Sequence, residues 1–349
     1  MSLSSLIQTV KQAFPGKPHY TEKDVPDLTD KVVIVTGANT GIGKELSQIL
    51  YARNARVYML ARSRDKTLAA IDDIRRNVPG SAGTLEYIHL DLADLTTIRT
   101  TADAFLAKED SLQVLFNNAG VGFPEHGSTT KQGYELQLGV NCLGTLALTE
   151  CLTPVLERTA AAASASKSSS KSSSSSVRVV FTSSSAAEAS HPAKYMSTVR
   201  KFAQDPHAIP TFPSYAASKL GNYLHAAEYA RRHSSPSSSP SSSSSSILAV
   251  SLNPGNLDSD LWRTQGAAFH WLLRTLFFYP VVNGAYTTLF AGFSPEVNDK
   301  TSGGFVAPWG RLWQTSPPLA KAATPVSQGG SGTAEEFYEW SLAQIRPYL

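Results

Sequence analysis

Two cysteines in 349 residues are too few for a disulfide framework or a cysteine-based metal cluster. Cys142 and Cys151, read as parts of one helix, point to opposite sides and lie about 13 Å apart along its axis, which excludes a bond between them. Both read as core thiols of a reducing compartment, and no other metal-ligating constellation is present, so no metal is expected. Charge is scarce as well: 17% of residues are charged and the formal net charge is +3, which makes no case for a nucleic-acid partner. Long apolar runs are missing. The most apolar stretch, Ala267 to Val282, is broken by His270 and Arg274 and falls short of the roughly 18 uninterrupted residues of a membrane span. At the N-terminus, Leu3, Leu6, Ile7, Val10 and Phe14 stand at helical spacing with Ser and Gln between them, which predicts a short docking helix and argues against a signal peptide. A soluble, cytoplasmic protein without a transmembrane segment is expected, with peripheral membrane contact left open.

The chain is long for one α/β domain but does not demand two. Part of the surplus lies in Ala160 to Ser176 and Ser234 to Ser246, which are nearly all Ser, Ala and Pro and hold too few apolar groups to offset the entropy of ordering. Both tracts are expected to be disordered inserts. The remainder divides into an N-terminal arm (1–29), one domain (30–310) and a C-terminal extension (311–349).

That domain is rich in short β-branched and apolar runs. Residues 31–35, 57–60, 85–88, 112–116, 177–181 and 247–252 read as buried strands separated by helix-like stretches, with a last short strand near 304–306 closing an edge. Alternating strands and helices predict a single doubly wound parallel sheet, an α/β fold of Rossmann type with helices on both faces. Each serine tract then joins a helix end to a strand start and leaves at the amino edge of the sheet. Ligands bind at the carboxyl edge, which residues 185–214 and 258–302 overhang.

The first strand runs into Thr36-Gly37-Ala38-Asn39-Thr40-Gly41-Ile42-Gly43. Glycines at a strand-to-helix turn let the backbone approach a pyrophosphate, whose charge is favoured at the helix N-terminus. Farther on, Tyr215 and Lys219 stand four residues apart, on one face of a helix. An ammonium there is expected to stabilise phenolate and to draw the tyrosine down from its ordinary pKa of about 10.

With Asn117-Asn118-Ala119-Gly120, Asn141 and Ser184 in order between these two motifs, the chain resembles the short-chain dehydrogenase/reductase family over residues 30–309, and most closely its retinol-dehydrogenase-like reductases common in fungi. The resemblance implies a nicotinamide cofactor held by Gly37, Thr40, Gly41, Ile42 and Gly43. Asp91 and Leu92 would lie beside the adenine, and Asn118, Ala119 and Gly120 beside the adenosine ribose, with Asn117 structural. Leu60-Ala61-Arg62-Ser63-Arg64 offers no acid for a ribose hydroxyl at the end of the second strand. Arg62, with Ser63 and Lys66, therefore favours a 2′-phosphate and hence NADP(H). Asp65 reads as a helix cap and Asp94 as a helix-start residue. Pro254, Gly255, Leu257 and Ser259 resemble the loop that meets the nicotinamide, with serine in place of the usual threonine. For the chemistry, the resemblance implies Tyr215 as acid/base, Lys219 as its pKa-lowering and ribose-binding partner, Ser184 as the orienting hydroxyl and Asn141 as holder of a relay water. The run Thr182-Ser183-Ser184-Ser185 leaves Ser183 and Ser185 as alternatives to Ser184.

The expected reaction is hydride transfer between NADP(H) and the carbonyl or alcohol carbon of a small molecule, as a ketoreductase of secondary metabolism. Trp262, Phe269, Trp271, Leu272, Leu273, Leu276, Phe277, Phe278 and Tyr279 crowd one overhanging segment and point to a bulky apolar substrate or, equally, to a covering helix. Two alternatives stand: an NAD(H)-dependent dehydrogenase of a sterol- or retinoid-like alcohol, and an NADP-sensing binding protein without turnover. Small residues Ala216, Ala217, Gly221 and Ala226 suit packing between subunits of a homodimer or on the chain's own sheet.

Overall fold

A computed structural model describes residues 3–167, 176–234, 246–257 and 278–349. Eight strands form one sheet: β1 (Val32–Thr36), β2 (Arg56–Ala61), β3 (Thr84–His89), β4 (Val114–Asn117), β5 (Val177–Thr182), β6 (Ile247–Leu252), β7 (Phe305–Ala307) and β8 (Arg311–Trp313). Their order is β3-β2-β1-β4-β5-β6-β7-β8. The first seven pair in parallel; β8 returns antiparallel on β7 and makes the edge that β7 was expected to close. Strand order reverses between β1 and β4, so a crevice opens at their carboxyl ends.

Strands buried on both faces need helices above and below. On one face α2 (Gly41–Ala52), α3 (Arg64–Asn77) and a later helix, Val281–Phe293, cover Val33, Val35, Val57 and Phe116. On the other, α4 (Leu95–Leu106), α6 (Thr145–Lys167) and α8 (Thr211–Arg232) enclose Ile34, Leu115, Val179 and Phe181, while the short α5 (Leu136–Leu138) and α7 (Tyr195–Gln204) pack in a separate cluster with α8. Numbering continues with α9 (Val281–Phe293), α10 (Pro317–Ala323) and α11 (Thr333–Ile345); the N-terminal helix α1 is Leu3–Ala13. Among the described residues, Leu136–Ala165 is long and apolar enough by composition to cross a membrane, but 83% of its most apolar window is buried in protein. It is a core helix.

Three expectations change. The first serine tract was placed from Ala160, yet α6 continues through Lys167, because Ala160-Ala161-Ala162-Ala163 and Ala165 are the strongest helix formers. Residues 168–175 of that tract, and 235–245 of the second, lie outside the described residues; both are flanked by a helix end and a strand start at the amino edge. The docking helix α1 is present but turns over: Gln12 is buried, whereas Leu6, Ile7 and Val10 are each about half exposed on its outer side. Finally, the segment 311–349 packs as part of the core. Beyond supplying β8, it buries Phe337, Tyr338 and Ile345 of α11 against α6 and α8. Tyr338 donates to Glu150, and His225 on α8 bonds Ser341 at 3.1 Å.

Candidate active site

Tyr215 and Lys219 sit one turn apart on α8, whose inner face lies against the end of β5. Lys219 is only 4% exposed, and its Nζ donates to the Thr182 carbonyl at 3.0 Å and lies 5.7 Å from the centre of the Tyr215 ring. Burial pulls its pKa down to about 8. Tyr215 moves opposite to expectation: burial pushes its phenol up to about 12, and a hydrogen bond with Ser184 opposes the rise only in part. Desolvation of the buried phenol dominates, so it stays protonated at neutral pH.

The three serines separate by their partners. Ser183 turns into the core and donates to the Lys219 carbonyl at 2.6 Å. Ser184 bonds Tyr215, and its Oγ accepts from the Ala186 amide at 3.1 Å as the cap of a 3-10 turn, Ser185–Ala189. Ser185 begins that turn and also faces the cavity. Asn141 lies in a π-helical stretch, Gly139–Gly144, of the kind found at functional sites. Both its amide hydrogens are taken, by the Val121 carbonyl and Ser218 Oγ, each at 2.9 Å, while its Oδ1 accepts from the Val121 amide at 2.8 Å. A relay water is left only the second lone pair of that oxygen.

Ser184, Tyr215 and Lys219 face a cavity of about 350 Å³ walled by Ile42, Phe123, Phe212, Ala189 and Leu257. It shares Ile42, Asn118 and Gly120 with a second hollow of about 480 Å³, which takes in Gly37, Thr40, Gly41, Asp91, Leu92 and Ala119. This shares Asn39, Thr40 and Arg62 with a third, where Lys44, Arg62, Lys66 and Arg76 surround one acid, Asp73. Lys44 and Arg76 both pair with Asp73 and hold its carboxyl below the usual range. A dinucleotide fits this track. Gly37 takes φ +66°, and a Cβ on Gly43 would stand 2.7 Å from the Asn118 amide nitrogen and against the Gly37 carbonyl, so the turn keeps the bare backbone a pyrophosphate needs.

A family model described as short chain dehydrogenase matches residues 31–203. A short-chain dehydrogenase/reductase of Phomopsis amygdali is 44% identical over 350 residues, covering 100% of this chain and 99% of that one. This chain belongs to the short-chain dehydrogenase/reductase family. Another such relative, from Neocamarosporium betae, is 39% identical and covers 97% of this chain and 93% of its own. Among solved structures, an uncharacterised protein of Mycobacterium paratuberculosis superposes with a TM-score of 0.63 at 26% identity, over 94% of this chain and 97% of that one. A short chain dehydrogenase from Shigella flexneri, solved as a complex with NADP, shares the fold with a TM-score of 0.55 at 18% identity, over 80% of this chain and 97% of that one.

In this short-chain dehydrogenase/reductase the remaining assignments fall out as follows. Asp91 spends one oxygen on the Ala93 amide, Asp94 caps α4 and pairs with Lys131, and Asn117 donates to Thr149 in the core. Ser63, not Asp65, takes the cap position of α3; Asp65 sits in its first turn. Ser259 and the aromatic run through Phe277 lie outside the described residues. Gly221 faces Tyr195, Cys142 and Phe337, so the small residue there serves packing within the chain. Sequence reasoning missed Lys44 and Arg76 beside Arg62, Phe123 and Phe212 beside Tyr215, and Thr9 of α1 in the wall of the catalytic cavity. Only Phe123, just beyond Asn118-Ala119-Gly120, carried a local signal.

Proposed function

We infer that this oxidoreductase uses NADPH to reduce the carbonyl group of a bulky apolar molecule. The observation that carries the reading is the Tyr215 hydroxyl, bonded to Ser184 and facing an apolar-walled cavity that joins, through the hollow beside the Gly37–Gly43 turn, a pocket with four cations. When bound, the nicotinamide supplies the hydride. Tyr215 hands its proton to the substrate oxygen, and Ser184 holds that oxygen as negative charge develops. Lys219 keeps positive charge below the phenol as it becomes phenolate. Arg62 and Lys66 would hold the 2′-phosphate, with Lys44 paired to Asp73 in the same pocket. Reversal of these steps would oxidise an alcohol. A cytoplasmic role in secondary metabolism agrees with this chemistry.

The test is NADPH and NADH oxidation with a panel of ketones and aldehydes, beside cofactor binding by fluorescence. Wild-type enzyme turns over with NADPH; Tyr215→Phe loses nearly all turnover but binds NADPH within about threefold, since the ring remains and only the proton donor is gone. Arg62→Asp shifts preference toward NADH at least about tenfold, the value of one charge-assisted contact. Binding without turnover across the panel would favour the sensing protein, a wild-type preference for NADH would favour the NAD(H) alternative, and a ratio unmoved in Arg62→Asp would leave Arg62 a surface residue.

A further inference from the structure

The N-terminal helix does more than cover the domain. α1 packs on the 3-10 turn that follows Ser184, and Thr9 forms part of the catalytic cavity wall with Asn253, Pro254 and Gly255. One turn on, Gln12 is buried at 2% exposure, and its Oε1 accepts from Asn253 Nδ2 at 2.9 Å. Asn253 is itself buried at the end of β6. Its backbone amide donates to the Val306 carbonyl at 2.9 Å, and its Oδ1 accepts from the Gly255 amide at 3.1 Å. Its side chain thus bridges two elements 241 residues apart, gripping the turn with one end and α1 with the other. That turn is under constraint: Gly255 has φ +93°, and its α-carbon is backed by the Trp309 indole. Among the described residues the buried Gln12 Nε2 has no hydrogen-bond partner. An amide that leaves one end unmade is a poor filler, since a methionine would fill the same space without that loss. What the glutamine supplies and methionine lacks is the bond to Asn253.

We propose that Gln12 is a positioning residue for carbonyl reduction: through Asn253 it fixes the Pro254-Gly255 turn, and so sets the reacting end of the cofactor against Tyr215. The proposal rests on the reading of the cavity as an NADPH-dependent reductase site. The residues that would hold the adenosine and phosphates, Arg62, Lys66 and the Gly37–Gly43 turn, line other hollows. Loss of the Gln12 bond therefore leaves affinity nearly intact and disturbs the geometry of transfer.

The experiment uses the full chain with Gln12→Met, Asn253→Ala, the double variant, and Leu6→Ser on the outer side of α1 as control. Each is assayed with NADPH and α-tetralone, by NADPH fluorescence titration, by thermal melting, and by hydrogen exchange of the peptide holding Gly255 in the free protein. Expected for Gln12→Met is a kcat about tenfold lower, as for a small misplacement of reacting groups, with the NADPH Kd changed less than about threefold. The Gly255 peptide exchanges faster before any cofactor is added, and the double variant is no slower than Asn253→Ala alone, because both act through one bond. Leu6→Ser matches wild type. An unchanged kcat and exchange rate in Gln12→Met, additive losses in the double variant, or a kcat loss explained by a lower melting temperature would each overturn the positioning role while wild-type turnover stands. Failure of the wild-type enzyme to reduce any carbonyl in the panel would overturn the reductase reading and this inference with it.

Discussion

At the residue scale, the site shows how burial redistributes protons between a phenol and an ammonium. Tyr215 is raised to about 12 and Lys219 lowered to about 8, so the group that titrates nearest to neutrality is the lysine. As pH rises through about 8, Lys219 loses its charge while Tyr215 remains protonated. The falling limb of kcat/KM for NADPH, which reports the free enzyme, is therefore expected near pH 8 and belongs to Lys219. Replacing it by arginine, which stays charged beyond about pH 12, removes that limb from the accessible range even if the maximal rate falls. A limb that stays near 8 in Lys219→Arg would assign it elsewhere. Stability runs the other way: the folded pKa lies below the ordinary 10.5, so between about 8 and 10.5 this group favours the folded state increasingly as pH rises, and lost rate there is not unfolding driven by Lys219. The pairing of Tyr215 with Lys219 was legible from their four-residue spacing. The direction of the tyrosine's shift was not, because it depends on how deeply the folded chain buries the phenol.

At the element scale, α8 is the beam that carries Tyr215 and Lys219, and its rear face is held by α11. Phe337 is fully buried there, stacked on His225 at 4.5 Å between ring centres and edge-on to Tyr195 at 5.0 Å. Burial holds His225 down to about 3, so it packs as a neutral ring. Arg232 adds bonds to Glu228 and Glu339 at the end of the helix. A segment that looked like an extension is thus part of what fixes the spacing of Tyr215 and Lys219 from β5. Phe337→Ala is expected to cost about 3–5 kcal/mol of unfolding free energy, the range for removing a large buried aromatic, read as a lower urea midpoint. A cost below about 1 kcal/mol would mean that α11 is dispensable to the fold. The strands were easier to read than this helix. Continuous β-branched runs such as Val32-Val33-Ile34-Val35 announce a buried parallel strand, whereas Phe337 and Tyr338 show their purpose only once α8 is beside them.

At the scale of the molecule, motifs that act through backbone next to them were readable, and walls assembled from distant segments were not. The turn from Gly37 to Gly43 is legible within seven residues, but the cation pocket joins Lys44 of α2 and Arg76 of α3 to Arg62 in the loop between β2 and α3. Likewise the catalytic cavity is closed by Thr9, Phe123 and Phe212, which share no pattern in the chain. The two phenylalanines carry the most information about what enters. Phe123 holds a left-handed backbone at φ +54°, unusual for a bulky residue, with its amide donating to the buried Gln137 at 3.1 Å. Its ring lies 4.8 Å from that of Tyr215 on one side and stacks at 6.4 Å on Phe212 on the other. Phe212 is 52% exposed, an apolar face kept at the rim of the cavity. Such an arrangement suits a flat, extended substrate that lies along the rings with its carbonyl at Tyr215, whereas a small aldehyde would reach Tyr215 without touching Phe212. Phe212→Ala should therefore raise KM for a two-ring aromatic ketone about tenfold, in line with losing one aromatic contact and its buried area. KM for a short aliphatic aldehyde, and the melting temperature, should hardly move, because the lost ring is at the surface. Equal increases for both compounds would mean that Phe212 shapes the start of α8 rather than the substrate, and would remove the argument for a bulky ligand.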